Sequence, residues 1–155
     1  MSSFQIIVGS MLGGTEYVAE SCEEQLLALN HQVNLHLNPS FSSILAATID
    51  EKTNKSDTWI ICTSTHGAGE LPDNIQAFAH DLENCVQDLS SINFMILAIG
   101  DSNYDTFCKA GLTINNTLIS KGCTQKTVIR MIDMRDDLDP EDLAKEWIME
   151  NKDLL

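Results

Sequence analysis

The chain repeats one unit, an apolar run followed by a segment with helical spacing, and this alternation constrains its fold more than any other feature. Continuous or alternating apolar residues predict strands at residues 4–8, 33–37, 58–62, 94–99 and 127–132. Continuous apolar runs are typical of parallel strands that are covered on both faces. Strands that alternate with helices predict an α/β fold with a doubly wound, mostly parallel sheet.

The first two segments between the predicted strands both favour helices, but the helical pattern is clear in the first and ambiguous in the second. Apolar residues recur at helical spacing over residues 18–29, and Thr15 lies where a side chain would cap the start of that helix. Residues 40–55 are ambiguous, although their apolar residues, Ile49 among them, favour a short helix.

The later segments have stronger helical patterns. Spacing predicts a helix over residues 74–86, with Val86 on its buried stripe, and another over residues 107–121. Pro140 directly follows Asp139, so it occupies a first-turn position and predicts the start of a final helix.

The net charge and the cysteines argue against several classes of binding site. A chain of 155 residues is most simply one domain, and its formal charge of −14 argues against binding nucleic acid or anionic membranes. The charge favours association with a basic partner surface. Five cysteines without a Cys-x-x-Cys pair predict free thiols in the cytoplasm, and no metal site. No signal peptide or membrane-spanning run is visible.

Three loops follow the first, third and fourth predicted strands, at Ser10–Thr15, Thr63–Gly69 and Gly100–Tyr104. Loops after parallel strands converge at one edge of the sheet, where such folds bind ligands. The first loop offers backbone N–H groups and hydroxyls to an anion at a helix N-terminus. It lacks the lysine of a nucleoside triphosphate P-loop, and the chain has no Gly-x-Gly-x-x-Gly motif.

The other two loops add groups that suit a flat ligand. Gly67 and Gly69 allow close backbone approach, His66 offers an imidazole, and Tyr104 could stack on a planar ring. Each loop taken alone is equally consistent with a structural turn, and Tyr104 with a side chain that covers the sheet edge. The three together predict a site for one planar, phosphorylated ligand.

Together the loops resemble the FMN-binding loops of the flavodoxin family, especially its short-chain members and the FMN domains of diflavin reductases. The residues that carry the resemblance are Ser10, Met11, Leu12, Gly13, Gly14 and Thr15 in the first loop, Ser64, Thr65, His66, Gly67, Ala68 and Gly69 in the second, and Gly100, Asp101, Ser102, Asn103, Tyr104, Phe107 and Cys108 in the third. The second loop also shares the exit Leu71-Pro72-Asp73-Asn74. The resemblance implies that residues 1–155 form one flavodoxin-like domain, a three-layer sandwich with a five-stranded parallel sheet of order 2-1-3-4-5 and helices on both faces.

The resemblance also implies a role for each loop. The first would hold the FMN phosphate, and Tyr104 would stack on the outer face of the isoalloxazine ring. His66 would lie at the inner face, and backbone groups of residues 100–103 would meet the pyrimidine edge. Leu12 replaces a threonine and His66 replaces an aromatic residue of many relatives, so we expect FMN to be held less firmly.

By the same resemblance, the chain would be a one-electron carrier between a separate, basic flavodoxin/ferredoxin–NADP reductase-type donor and a basic acceptor enzyme such as biotin synthase. Four carboxylates near the loops would lower the potential of the flavin and form the docking face: Glu70, Asp73, Asp101 and Asp105. The alternatives are a flavodoxin-like regulatory module without FMN and a small NAD(P)H quinone reductase. A phosphoacceptor receiver domain fits poorly, because the strand ends lack its aspartates.

Overall fold

The computed structural model describes residues 2–11, 13–48 and 57–155. Within these residues, strands and helices alternate along the chain, except that two short strands follow each other before the last helix. The strands are β1 (Ser3–Gly9), β2 (Gln32–His36), β3 (Asp57–Ser64), β4 (Asn93–Gly100), β5 (Thr124–Gln125) and β6 (Arg130–Asp133). The helices are α1 (Gly14–Ala28), α2 (Phe41–Thr48), α3 (Asp73–Glu83), α4 (Lys109–Ser120) and α5 (Pro140–Glu150), and a short 3-10 helix follows at Lys152–Leu154.

The sheet is parallel and has the order 2-1-3-4-5 that the resemblance implies. Strand β3 lies at its centre, paired along its length with β1 on one side and β4 on the other. The loops after β1, β3 and β4 therefore leave the sheet at the same edge. This is the flavodoxin-like α/β fold.

The last strand position differs from the prediction, because two short strands occupy it. Strand β5 pairs with the start of β4 and β6 pairs with its end. Between them, residues 126–129 lie opposite only Met95 and Ile96, so the chain carries two extra residues at this edge. The predicted strand over residues 127–132 was thus wrong in its start. Such bulges interrupt an edge strand and discourage pairing with other chains.

Two apolar layers cover the faces of the sheet. One layer packs α2, α3 and α4 against the sheet around Trp59, Phe78 and Ile114. The other packs α1 and α5 around Phe4 and Trp147. The central strands are buried on both faces, which explains why their sequences read as continuous apolar runs.

Three helix ends differ from the predictions. Helix α1 has Gly13 rather than Thr15 as its N-cap, and Thr15 is buried in its first turn. Helix α3 ends at Glu83, where the Asn84 side chain donates to the His80 carbonyl at 2.8 Å, and Val86 beyond it is 98% exposed rather than buried. Helix α4 starts at residue 109, two residues later than predicted.

The remaining helix predictions are confirmed where the structure describes them. A short α2 forms within residues 40–55, although Ile49 lies outside the described residues. Asp139 caps α5 by accepting the Glu141 N–H at 2.9 Å, with Pro140 in the first turn. No helix in the described residues is long and apolar enough to cross a membrane.

Candidate functional site

A groove runs along the sheet edge at which β1, β3 and β4 end. It consists of two pockets of about 360 Å³ and about 450 Å³ that share four lining residues: Ser64, Thr65, Ile99 and Met134. The first loop lines the smaller pocket, and the third loop lines the larger one. We call them the phosphate-loop pocket and the Tyr104 pocket.

The first loop presents an open helix start to the phosphate-loop pocket. The Ser10 hydroxyl accepts the Gly13 N–H at 2.9 Å, and Gly13 has φ +84°, a conformation that glycine adopts without strain. Apart from the adjacent residues and the backbone of α1 itself, no atom of the described residues lies within 4 Å of where a side chain on Gly13 or Gly14 would begin. The space beside the first turn of α1 is therefore free for an anion, which helix N-termini favour.

Asn74 fixes the first loop from the adjacent helix. Its Oδ1 accepts the Ser10 N–H at 2.9 Å, and its Nδ2 donates to the carbonyls of Val8 at 2.7 Å and Leu37 at 3.0 Å. One amide thus joins α3 to the ends of β1 and β2. Because the Ser10 N–H is engaged in this way, the donors left for an anion are the hydroxyls and the N–H groups nearer the helix.

The second loop is a tight turn closed by its own backbone. His66 and Glu70 exchange two N–H···O bonds of 2.8 Å. Thr65 Oγ1 accepts the Ala110 N–H at 3.2 Å, which ties the base of the turn to the start of α4. The His66 side chain lines the phosphate-loop pocket, whereas Gly67 lines the Tyr104 pocket. The turn therefore forms the wall between the two halves of the groove.

The third loop is a short series of turns stabilised by Asp101. Its carboxylate accepts the Asn103 N–H at 2.8 Å, and its carbonyl accepts the Tyr104 N–H at 3.1 Å. Tyr104 is 65% exposed and lines its pocket, so it is accessible to a ligand. The loop closes where Gly100 approaches Cys108, and a Cβ on Gly100 would lie 2.8 Å from the Cys108 nitrogen.

Cys108 lines the pocket as a neutral thiol. Burial, with a smaller contribution from the Asp133 carboxylate, raises the pKa of Cys108 to about 11. Its Sγ lies 3.6 Å from the Ala98 carbonyl oxygen, to which it donates. A thiolate nucleophile is therefore not available at neutral pH, because the thiolate is the reactive form.

The structure brings most of the predicted site residues to the groove. Thirteen line it: Ser10, Met11, Gly14, Thr15, Ser64, Thr65, His66, Gly67, Gly100, Asp101, Tyr104, Phe107 and Cys108. Gly13, Ala68, Gly69, Ser102 and Asn103 belong to the loops without lining either pocket. Leu12 lies outside the described residues.

Sequence reasoning missed a fourth contributor, the junction between β6 and α5. Met134 lines both pockets, and Pro140 lines the phosphate-loop pocket. A signal was present, since Asp133 and Met134 follow an apolar strand as the other site loops do. The acidic run from Asp133 onward obscured it, because charge runs are typical of solvated faces.

The comparisons with known proteins agree with this geometry. The family model "Flavodoxin" matches residues 6–147. Protein MioC homolog of Pasteurella multocida strain Pm70 is 41% identical over 143 residues, 92% of this chain and 91% of the relative. Protein MioC of Escherichia coli K12 is 35% identical over 148 residues, 96% of this chain and 95% of the relative. Among solved structures, a cysteine-to-serine mutant of flavodoxin from Pseudomonas aeruginosa superimposes with a TM-score of 0.87 at 25% identity, over 99% of this chain and 98% of that one.

Proposed function

The chain belongs to the flavodoxin family of FMN-binding electron carriers, and we propose that it passes single electrons from a separate NAD(P)H-linked reductase to an acceptor enzyme. One observation carries the proposal. A hydroxyl-rich helix start and an exposed tyrosine line adjoining pockets of one groove, as a ligand with a phosphate at one end and a flat ring at the other requires.

The phosphate end of FMN fits the smaller pocket. Ser10 and Thr15 line it, and the first turn of α1 adds N–H groups with the positive end of its dipole. The first loop contains no lysine or arginine, so neutral donors would hold the phosphate. Leu12 and His66, which replace a threonine and an aromatic residue of many relatives, support weaker FMN retention than in typical relatives.

The ring of FMN fits the larger pocket. Tyr104 would stack on its outer face, and Phe107 and Cys108 would pack at its edge. Backbone groups of residues 100–103 would meet its pyrimidine side. When bound, FMN supplies the electron-transfer chemistry, since its isoalloxazine ring accepts and donates electrons one at a time.

Acidic residues around the groove support a basic partner. Glu70, Asp73 and Asp105 are exposed, and Asp101 lies at the pocket itself. On a chain of formal charge −14, they would steer a basic reductase and a basic acceptor to the ring end of the groove. We propose biotin synthase as the first acceptor to test, and the cytoplasm as the place of exchange, because all five cysteines are free thiols.

Anaerobic reduction by NADPH tests this function. We expect rapid reduction of the FMN-loaded protein only when a ferredoxin–NADP reductase-type enzyme is added, with a rate that falls as ionic strength rises. Replacing Glu70, Asp73 and Asp105 by their amides should slow this step. The matched control carries the amides of Glu146, Glu150 and Asp153, which do not line the groove, and should react like the unmodified protein. Rapid reduction by NADPH alone would contradict the proposal and favour a quinone reductase.

A further inference from the structure

The junction between β6 and α5 clamps the third loop of the site. One Asp133 oxygen, Oδ1, accepts the Ser102 N–H at 3.1 Å and the Arg135 N–H at 3.0 Å. The next residue, Met134, donates its N–H to the Gly100 carbonyl at 2.8 Å. The last residue of β6 and the residue after it therefore hold two positions of the loop that carries Tyr104.

The bonds from Asp133 and Met134 connect the third loop to the sheet, whereas the hydrogen bonds made by Asp101 stay within the loop. Among the described residues, the Asp101 carboxylate and carbonyl bond to Asn103 and Tyr104 alone, so they shape the turn without anchoring it. Asp133 is the last residue of β6 and pairs with Gly100 of β4. Its carboxylate thus anchors an otherwise exposed turn to the sheet.

We propose that Asp133 is a positioning residue of the flavin site, whose carboxylate holds the turn at Ser102 so that Tyr104 is aligned with the isoalloxazine ring. This inference rests on the proposed function, since it requires FMN in the groove. Neither the three-loop pattern nor the charge of the C-terminal run assigns this role to Asp133.

The electrostatics of Asp133 agree with a hydrogen-bonded anion. Hydrogen bonds lower the pKa of Asp133 from its ordinary value. The Ser102 side chain contributes most, the Arg135 N–H contributes next, and the positive charge of Arg135 adds to the effect. A carboxylate that accepts N–H bonds holds them more strongly than a neutral acceptor does. Met134, 54% exposed and lining both pockets, lies next to it, so a shift of this junction would also change the wall of the groove.

Substitutions at Asp133 test the role, with FMN titration of the apoprotein and the fluorescence of bound FMN as readouts. For Asp133→Ala we expect about a tenfold rise in the Kd for FMN, because charge-assisted bonds to the turn are lost. We also expect brighter bound FMN, because stacking by Tyr104 quenches flavin fluorescence. Asp133→Asn keeps an oxygen acceptor and should restore both properties to within about threefold of the unmodified protein.

Two further variants separate position from charge. Asp133→Glu keeps the charge but displaces the oxygens by one methylene, so it should bind FMN more weakly than Asp133→Asn, and this comparison remains available if the alanine variant does not fold. Asp136→Ala removes a neighbouring exposed carboxylate and should match the unmodified protein. In the apoprotein, exchange of the Ser102 amide hydrogen should be faster in Asp133→Ala.

The outcomes test the positioning role of Asp133 separately from the proposed function. If the unmodified protein does not bind FMN, the proposed function fails and the positioning role fails with it. If it binds FMN, and Asp133→Ala or Asp133→Glu matches it in both affinity and flavin fluorescence, the positioning role alone is wrong.

Discussion

Asn74 accepts the Ser10 N–H at 2.9 Å and so fixes the start of the phosphate loop from the neighbouring helix. The same side chain donates to two strand ends, at Val8 and Leu37. The loop is therefore held in place before any ligand binds, which lowers the ordering cost of binding.

Asn74→Ala should weaken FMN binding by about tenfold and lower the free energy of unfolding by about 1.5–4.5 kcal/mol, since three bonds are lost and each contributes about 0.5–1.5 kcal/mol. Isothermal titration and urea unfolding measure the two effects. Gln76→Ala is the matched control, because Gln76 is an exposed amide on the same helix that does not contact the first loop. Lower stability with unchanged affinity would restrict Asn74 to a structural role.

Tyr104→Leu should raise the Kd for FMN by about two- to tenfold, because aromatic stacking contributes about 0.5–1.5 kcal/mol beyond burial. Bound FMN should also become more fluorescent. Tyr17→Leu is the control, since Tyr17 is 61% exposed, close to the 65% of Tyr104, and lines neither pocket. Equal effects of the two substitutions would exclude a specific contact between Tyr104 and the ring.

Neutralising Glu70 and Asp73 by amide substitution should raise the potential of the second one-electron reduction of bound FMN, since both carboxylates repel the added negative charge. The shift should shrink as salt is added, because the Debye length falls to about 8 Å at 0.15 M. Spectroelectrochemistry measures it. The amides of Glu150, the last residue of α5, and of Asp153, in the 3-10 helix that follows, provide the control. An unchanged potential in the Glu70/Asp73 variant would refute the repulsion.

The lowered pKa values of two histidines predict that the folded protein is less stable in mild acid. Burial lowers the pKa of both His31 and His36 from 6.5, and His31 Nδ1 accepts the Ser2 N–H at 3.0 Å. The unfolded chain therefore binds protons more readily, so the free energy of unfolding should decrease as pH falls below about 6.5. Urea unfolding between about pH 7.5 and pH 5 measures this. A double His31→Gln/His36→Gln variant should have a flatter profile, and an equally steep profile would assign the effect to other groups.

The sheet could be predicted from the sequence because strands that are buried on both faces are continuous apolar runs. Phe94 to Ile99 has no polar residue, and the loops that follow such strands must meet at one edge. Local conformation was harder to predict. Nothing in the spacing shows that residues 126–129 bulge away from β4, or that Asn84 ends α3 before Val86, because tertiary contacts and side-chain capping decide both.

The same distinction applies to the site. Glycines, hydroxyls and Tyr104 are recognisable because their chemistry suits a phosphate and a ring. Asp133 and Asn74 act through backbone partners that are distant in sequence, Ser102 and Ser10, and no short motif encodes such a pairing.

The central claim is tested most directly by titrating the apoprotein with FMN and then reducing the complex stepwise under anaerobic conditions. We expect saturation at one FMN per chain, followed by two separate one-electron steps with a distinct absorption spectrum at the midpoint. Absence of saturable FMN binding by the folded protein would contradict the assignment of the groove and of the electron-carrier function.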